Sequence, residues 1–343
     1  MSLPVLAILL MVNLHSSQPQ SDFGNNPGDF SIVFYNVENF FDVKDDPETK
    51  DDDFTPDGIN HWTYHRLDAK IQHIYKALIA AGKGELPDVI GLAEIENRWV
   101  LRRLIENTPL NQVPYGIIHK DSPDPRGIDV ALLYRKDRIN PVDFDFLRVV
   151  KEGKKQFESR DILYFSGSLD GDTVHFFVNH WPSRYGGYMA TKKKRNYAAR
   201  VLRHRIDSIV ENEPNAHILL MGDFNATMNE GCLRDVLHAA QFNGTYNADS
   251  LVNLTTNWKS EPTGTLRNHG EWAVFDQFIC SSSLLDGKHL KLDVSRTHIC
   301  HEAFLLEADE KYLGSKPNRT YLGPAYHGGF SDHLPIITYL YQK

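Results

Sequence analysis

Cysteine is scarce in this sequence of 343 residues, which contains only Cys232, Cys280 and Cys300. No two of them have the C-x-x-C spacing of a zinc ribbon, and an odd number of thiols cannot pair completely within one chain. We therefore expect neither a zinc-ribbon site nor a disulfide scaffold.

Positive charge is also in deficit, because 37 Lys and Arg residues stand against 45 Asp and Glu, a formal net charge of −8. A protein that covers nucleic acid with its whole surface is usually basic, so this chain is not expected to be a DNA coat protein. An enzyme needs only a local basic path, and turnover of a phosphate substrate therefore stays open.

Long apolar runs are absent beyond the first residues, where residues 3–14 are apolar and a polar stretch follows. The run is shorter than the roughly 20 residues that a membrane span needs, and it is typical of a signal-peptide core. No Lys or Arg precedes it, and no A-x-A site follows. We predict a signal peptide and linker over residues 1–26, export to the periplasm or the exterior, and no stable membrane insertion. The alternative is a cytoplasmic protein with an apolar N-terminal extension.

The sequence contains 41% hydrophobic residues, which is enough for a large core. Many of these residues recur with the periodicity of helices or strands. Leu67, Ile71 and Ile74 have the spacing of a helix, and a long helix is predicted over residues 191–210. Strand patterns alternate with these helices, and several consecutive strands are hairpin-linked. We predict mixed β-sheets covered by helices, an α/β sandwich in one domain over residues 27–343.

Two motifs suggest metal sites that we do not predict. The loop DVKDDPETKDDDFTPDG is acidic, but its carboxylates lack the spacing of an EF-hand, so a solvated loop is expected. His61 and His65 have the H-x-x-x-H spacing of a zinc protease, but the intervening residues include no Glu.

Polar side chains recur where apolar strands end, and ligands of α/β sheets bind outside strand ends. We therefore expect one cleft to collect these groups, which are Asn36, Glu38, Glu94, His180, Asp223 and Asn225 at strand ends, with Asp332 and His333 in the loop before the last strand.

The residue types define a chemistry. The carboxylates of Glu94, Asp223 and Asp332 and the amides of Asn36 and Asn225 are hard oxygen ligands. Such ligands suit Mg²⁺, Mn²⁺ or Ca²⁺ rather than zinc.

Two histidines without a cysteine nucleophile favour hydrolysis by activated water, with one His as base and one near the leaving oxygen. Each imidazole needs a carboxylate to fix its tautomer. Asp129 and Asp276 lie within strand patterns and need partners, because a buried lone carboxylate is costly.

Eight motifs in this order resemble the endonuclease/exonuclease/phosphatase superfamily with the DNase I-like fold: FYNVENF, GLAEIEN, GIDVALLY, ESRDI, VNHWPS, GDFNA, VFDQFI and SDHLP. The resemblance spans about residues 30–341. It implies a four-layered α/β sandwich of two packed mixed β-sheets flanked by helices. The chain departs from the pattern at DPRG, where some DNA-cleaving members place a tyrosine.

The resemblance also implies roles for the residues of these motifs. Glu94 is implied as principal metal ligand with Asn36 beside it, and Asp332 as support for the metal or the phosphoryl oxygens. Asp223 and Asn225 are implied to position the attacking water and the phosphate, and Arg160 to bind phosphate. His333 paired with Asp276 is implied as the base. His180 with Asp129 is implied as a second pair of histidine and carboxylate, nearer the leaving group.

Substrate choice depends on residues 184–205, which hold eight Lys or Arg and no acid. A basic rim with Tyr185, Tyr188 and Tyr197 favours DNA or RNA as the substrate of a monomeric nuclease without a protein partner. Three alternatives stay open: a solvated helix face, a phosphodiesterase or phosphatase of lipid or sugar phosphates as in other members of the superfamily, and a binding domain without catalysis.

Overall fold

The computed structural model of the chain describes residues 28–151, 157–247, 250–258 and 264–342. The predicted signal peptide and linker lie outside these residues. Within them, no helix combines the length and the hydropathy that crossing a membrane requires.

The described residues form four α-helices. These are α1 (Tyr64–Ala81), α2 (Arg98–Glu106), α3 (Tyr188–Asn212) and α4 (Ser282–Leu285). Thr63 and Asn97 cap the first two helices by accepting from backbone N–H groups of the first turn. The apolar spacing that predicted α1 is confirmed, since Leu67, Ile71 and Ile74 are buried.

The strands alternate with these helices. In chain order they are β1 (Phe30–Phe40), β2 (Val89–Ile95), β3 (Tyr115–His119), β4 (Asp129–Arg135), β5 (Ile139–Leu147), β6 (Ile162–Leu169), β7 (Asp172–His180), β8 (His217–Asp223), β9 (Ala239–Gln241), β10 (Leu251–Asn253), β11 (Leu266–Asn268), β12 (Glu271–Ala273), β13 (Asp276–Ser281), β14 (Leu290–Leu292), β15 (His298–Ile299), β16 (Leu306–Ala308), β17 (Ser315–Pro317), β18 (Tyr321–Leu322), β19 (Ala325–Tyr326) and β20 (Ile336–Gln342). Single-turn helices occupy Asp52–Phe54, Pro109–Gln112, Cys232–Val236, Leu254–Asn257, Val294–Arg296 and Ala303–Leu305.

Two large sheets dominate the fold. The first has the order β14-β20-β1-β2-β4-β3 with β15 on β20, and the second has the order β5-β6-β7-β8-β13-β10-β9. Both are mixed, because β1 pairs with β2 and β7 pairs with β8 in parallel while most other pairs are antiparallel. The predicted sandwich of two mixed sheets is confirmed.

The sheets pack face to face, and helices cover their outer faces. Phe34 and Met221 lie in the core between the sheets, where Gly91 leaves room for the Met221 side chain. On the far side of the second sheet, Leu202 and Ile206 of α3 pack in a separate cluster with strand residues. Helices α1 and α2 contact the first sheet, so the layers run helix, sheet, sheet, helix.

The strand pairing determines where the polar strand ends meet. His180 at the end of β7 pairs with Asp223 at the end of β8, and Asp223 pairs with Asp276 at the start of β13. Three of the predicted site residues therefore lie side by side at one edge of the second sheet.

Gly222, directly before Asp223, lets β7 and β8 approach closely. It adopts φ +156°, and an added Cβ would lie 2.3 Å from the carbonyl oxygen of Asn179. We expect Gly222→Ala to destabilise the fold by roughly 1–3 kcal/mol beyond the cost of the backbone conformation, because a β-strand carbonyl has little freedom to move. Urea unfolding of the purified variant measures this loss.

Gly171 provides the matched control for this substitution. It has φ +100° but nothing within 4 Å of an added Cβ, so Gly171→Ala carries only the backbone strain of about 1 kcal/mol. Equal losses in the two variants would contradict a steric role for Gly222.

Candidate active site

Asp223 lies at the centre of the polar cluster. Its buried carboxylate accepts from the side-chain amides of Asn36 at 3.3 Å and Asn225 at 3.1 Å, and from the backbone N–H of Asn225 at 2.8 Å. The Nε2 atoms of His180 and His333 lie 3.6 and 3.8 Å from Asp223 Oδ2. Asn36 comes from the first sheet, so this one carboxylate joins the ends of both sheets.

Glu94 reaches the cluster from an irregular turn of the backbone. It has φ +65°, and the pairing of β2 with β4 shifts register between Ala93 and Ile95. This bulge re-aims the side chain. Glu94 Oε2 accepts from the Asn39 N–H at 2.9 Å, while Oε1 lies 3.5 Å from Asn36 Nδ2 and 3.9 Å from His180 Nε2.

His333 and Asp276 form the predicted pair, which is confirmed by a distance of 2.7 Å between Nδ1 and Oδ2. The backbone N–H of His333 donates to the Ser331 hydroxyl, which in turn donates to the Asn36 carbonyl. Burial alone would lower the pKa of His333, but the charges of Asp276 and Asp223 outweigh it and hold that pKa well above its ordinary value.

The predicted pairing of His180 with Asp129 is wrong. Within the described residues, Asp129 and His180 share no hydrogen bond or ion pair; Asp129 accepts from the backbone N–H of Ser122 at 3.0 Å and from its hydroxyl. The loop after β3 folds Ser122 onto Asp129, and the pairing of β7 with β8 places His180 beside Asp223 instead. Burial, with Arg160 and Arg126 nearby, holds the pKa of His180 well below its ordinary value.

Arg160 is held by the protein itself. Its Nη1 donates to Asp124 at 2.8 Å, its Nε to the His180 carbonyl at 3.2 Å and its Nη2 to the Trp181 carbonyl at 2.6 Å. The guanidinium is buried and fixes the backbone that follows His180. Its expected contact with substrate phosphate stays a prediction.

Arg319 is a member of the cluster that sequence reasoning missed. It donates to Glu38 Oε1 from Nε at 3.0 Å and from Nη2 at 2.8 Å, and to Asp332 Oδ2 at 3.1 Å. Burial opposes the charge of Arg319, but Asp332 and Glu38 outweigh it and raise its pKa. Arg319 comes from an irregular loop, where neither periodicity nor a motif marks it.

Lys70 is a second missed cation. Its Nζ donates to the Thr320 hydroxyl at 2.5 Å and to the Phe330 carbonyl at 2.6 Å. Burial lowers its pKa to about 8, although Glu38 opposes the shift. A signal was present in the sequence, because Lys70 falls on the buried stripe of α1 between Leu67 and Ile71, where a lysine needs a polar partner.

The basic segment is exposed only in part. Lys193, Lys194 and Arg200 are exposed, whereas Arg195 is buried and donates to the Thr191 hydroxyl at 2.8 Å. Tyr185 is 95% exposed. A cavity of about 570 Å³ directly beyond the His180 strand is lined by residues that include Arg126, Arg160, Ser183, Tyr185 and Lys194.

The donor set at the cluster fits a divalent cation. The side chain of Glu94 is 16% exposed, and the contacts of its Oε1 are too long for strong hydrogen bonds. Carboxylate and amide oxygens are the ligands of Mg²⁺ and Mn²⁺. Asp332, expected as a further ligand, already accepts from Arg319, so its role at a metal stays a prediction.

Solved structures share this fold across most of their length. A humanized D. rerio TDP2 is 15% identical, with 91% of this chain and 98% of that chain covered and a TM-score of 0.54. An endonuclease/exonuclease/phosphatase family protein of Bacteroides thetaiotaomicron is 16% identical over 92% and 98%, with a TM-score of 0.57. A mannosyl-6-phosphatase of the same species is 16% identical over 91% and 99%, with a TM-score of 0.55. At such identities the likeness shows the fold alone.

None of the curated protein sequences is significantly similar to this chain. The sequence model of the Endonuclease/Exonuclease/phosphatase family, in contrast, matches residues 31–342. The predicted resemblance is thereby confirmed, and the chain belongs to this family of phosphoric ester hydrolases.

Proposed function

We propose that the chain is a divalent-metal-dependent nuclease that cleaves DNA or RNA phosphodiesters with an activated water. The observation that carries this proposal is the convergence of carboxylates and two imidazoles on Asp223, with an exposed cationic and aromatic edge beginning at the next loop. The first feature supplies hydrolysis, and the second favours a polyanionic substrate.

Glu94, Asn36 and Asp223, with Asp332 nearby, are the residues we propose to hold the ion. A bound Mg²⁺ or Mn²⁺ would neutralise charge on the phosphoryl oxygens and favour ionisation of water; Ca²⁺ uses the same kind of ligand. The Asn225 amide, which donates to Asp223, is placed to orient a water or a phosphoryl oxygen beside that carboxylate.

His333 is the residue we propose to exchange a proton with the reacting groups. Asp276 lies at Nδ1 and fixes the ring, so Nε2 faces Asp223 and is the atom that holds or moves the proton. His180 has a depressed pKa and is neutral at physiological pH, which suits a hydrogen-bonding role beside the leaving group. Asp129 loses its proposed role as partner of His180.

The substrate assignment depends on the start of α3. Lys192, Lys193 and Lys194 lie on its first turns, and Lys194 lines the cavity together with Arg126 and Tyr185. Backbone phosphates can contact the cations while bases stack on the exposed tyrosine ring. Lys192, Lys193, Lys194 and Tyr185 form this proposed nucleic-acid track, which begins shortly after β7 ends at His180. A nucleic acid bound along the track would therefore reach the polar cluster.

A phosphatase of sugar phosphates is the second candidate. Arg319 is 36% exposed beside Glu38 and Asp332, so its guanidinium is available to a terminal phosphate. The fold likeness to the mannosyl-6-phosphatase supports the same alternative. A wild-type protein that cuts no DNA or RNA at low salt with Mg²⁺ or Mn²⁺, yet hydrolyses sugar phosphates, would establish this candidate in place of the nuclease.

Glu94→Gln tests the dependence on a metal. The substitution keeps the shape of the side chain but removes its charge, and we expect kcat to fall by about 1,000-fold, equivalent to about 4 kcal/mol. Hydrolysis of a small bis-phosphodiester across a range of Mg²⁺ and Mn²⁺ concentrations measures the effect. Glu106→Gln, an exposed position at the end of α2, is the control, and full wild-type activity in EDTA would rule out the metal.

Asp276→Asn tests the charge on His333. The raised pKa of His333 stabilises the fold fully below its unfolded value of about 6.5, and this stabilisation is lost as pH rises through the folded pKa. The difference in unfolding free energy between wild type and Asp276→Asn should therefore be largest at acidic to neutral pH and shrink under alkaline conditions.

Urea titrations of metal-free protein at a series of pH values measure that difference. Asp68→Asn removes an exposed carboxylate on α1 whose partner is Arg103 at 3.4 Å and should show no comparable trend. A difference for Asp276→Asn that stays constant over the whole pH range would show that His333 does not carry the charge.

Reversing Lys192, Lys193 and Lys194 to Glu tests the nucleic-acid track. We expect KM for DNA or RNA to rise, and the slope of log K against log salt to lose about 0.9 for each phosphate contact removed. Hydrolysis of the small bis-phosphodiester should barely change, because the chemistry is untouched. Arg195 is left out, since its guanidinium is buried and its reversal would damage the fold.

The matched control reverses three exposed lysines outside this segment, Lys136, Lys288 and Lys311. It changes net charge equally, so a general electrostatic effect would raise KM in both variants. Nucleic-acid cleavage that is equally affected by both reversals would remove the argument for a local track.

A further inference from the structure

A second group of ligand-type side chains lies where β3 leads into β4. It consists of His119 at the end of β3, Asp121 in the following loop and Asp129 at the start of β4. One potential ligand atom from each residue lies within 4.8 Å of those from the other two. The Asp129 carboxylate contacts Ser122 rather than His180 and lies within this group.

His119 carries the unsatisfied part of the group. Its side chain is only 2% exposed, and its Nε2 has no hydrogen-bond partner within the described residues. Nε2 lies 3.9 Å from Asp129 Oδ2, and Nδ1 lies 3.8 Å from Asp121 Oδ1. These distances are too long for hydrogen bonds, and a buried polar atom without a partner is costly.

The two carboxylate oxygens of Asp129 have different neighbours. Oδ1 accepts from the backbone N–H and the hydroxyl of Ser122, whereas Oδ2 is the oxygen nearest to His119. The side chain of Asp121 is 83% exposed, so the open side of the group is accessible to solvent. A buried imidazole and a buried oxygen thus face each other, with an exposed carboxylate at the entrance.

We propose that His119, Asp121 and Asp129 bind a divalent transition-metal ion, with Zn²⁺ as the best match. One imidazole with two carboxylates is a mixed nitrogen and oxygen set, which favours Zn²⁺ over Mg²⁺ or Ca²⁺. Bonds of roughly 2.0–2.2 Å to Zn²⁺ place neighbouring ligand atoms about 3.4 Å apart in a tetrahedron. The ligand nitrogen is the unpartnered Nε2, 3.9 Å from Asp129 Oδ2, and the exposed Asp121 side chain must rotate from Nδ1 towards this position. Ser122 orients Asp129 from behind.

The position of this site connects it with the active-site edge. The loop between β3 and β4 carries Asp124, which accepts from Arg160, and Arg160 donates to the His180 carbonyl. Arg126 of the same loop lines the cavity beyond His180. An ion at His119 would fasten both ends of this loop and so hold Asp124 and Arg126 in place. Binding of the ion does not depend on the proposed nuclease activity.

Zn²⁺ titration of the full chain tests the proposal, with Glu94→Gln as the background so that the proposed catalytic ion does not contribute. Calorimetry against a chelator of known affinity should reveal Zn²⁺ binding in Glu94→Gln that excess Mg²⁺ does not displace. Adding Asp121→Asn should weaken that binding by at least about 10-fold, and adding His119→Gln should abolish it. Asp121 is exposed, so its substitution leaves folding intact.

Asp68→Asn in the same background is the matched control, because Asp68 is also an exposed carboxylate but lies on α1. Co²⁺ in place of Zn²⁺ gives an independent readout, since its visible absorption should be lost with His119→Gln. Zn²⁺ affinity that is the same with and without His119 and Asp121, or no Zn²⁺ binding in the Glu94→Gln protein, would overturn the proposal. Loss of hydrolysis in Glu94→Gln with Zn²⁺ binding intact would separate the two sites.

Discussion

The buried carboxylate of Asp223 is the constraint around which the candidate active site is organised. A carboxylate removed from water is costly unless donors surround it, and none of the apolar neighbours in β8 can supply one. Donors come instead from Asn36 of the first sheet and from Asn225 in the next turn, while the imidazoles of His180 and His333 lie 3.6 and 3.8 Å from its Oδ2. Satisfying this one group therefore fixes the two sheets relative to each other at the edge where chemistry is proposed.

Irregular backbone in β1 and β2 directs side chains into the cleft that regular strands would point elsewhere. Strand alternation sends successive side chains to opposite faces, so a straight β1 and β2 would not direct both Asn36 and Glu94 to the same cleft as Asp223. Glu38, Asn39 and Glu94 adopt positive φ, where the pairing of β1 and β2 shifts register. Such conformations cost of order 1–3 kcal/mol each and persist where the surrounding structure enforces them. The hydrogen bond from the Asn39 N–H to Glu94 is part of that enforcement.

The sequence predicted the sheets, the strand-end residues and the pair of His333 with Asp276, because each rests on local patterns or on family motifs. The sequence does not predict contacts that depend on the direction in which a side chain points in the folded chain. Asp129 was assigned to the wrong partner, since a position at a strand end does not say how the neighbouring loop folds back. Arg195 was counted in a basic surface although its guanidinium is buried, and Arg319 carried no pattern at all. Export and the monomeric state stay predictions.

The charges of the cluster support the proposal that a divalent ion and a phosphate bind there together. Arg319 bridges Glu38 and Asp332. Burial and the charge of Asp332 raise the pKa of Glu38, and the charges of Lys70 and Arg319 oppose this shift. These cations reduce the repulsion between neighbouring carboxylates, which is strong because the buried groups lie in a region of low dielectric. Under the proposed function, a phosphate that approaches Glu94 would also meet the carboxyl groups of Asp223 and Asp332. A divalent cation held by these oxygens would attract the phosphate that the carboxylates alone would repel.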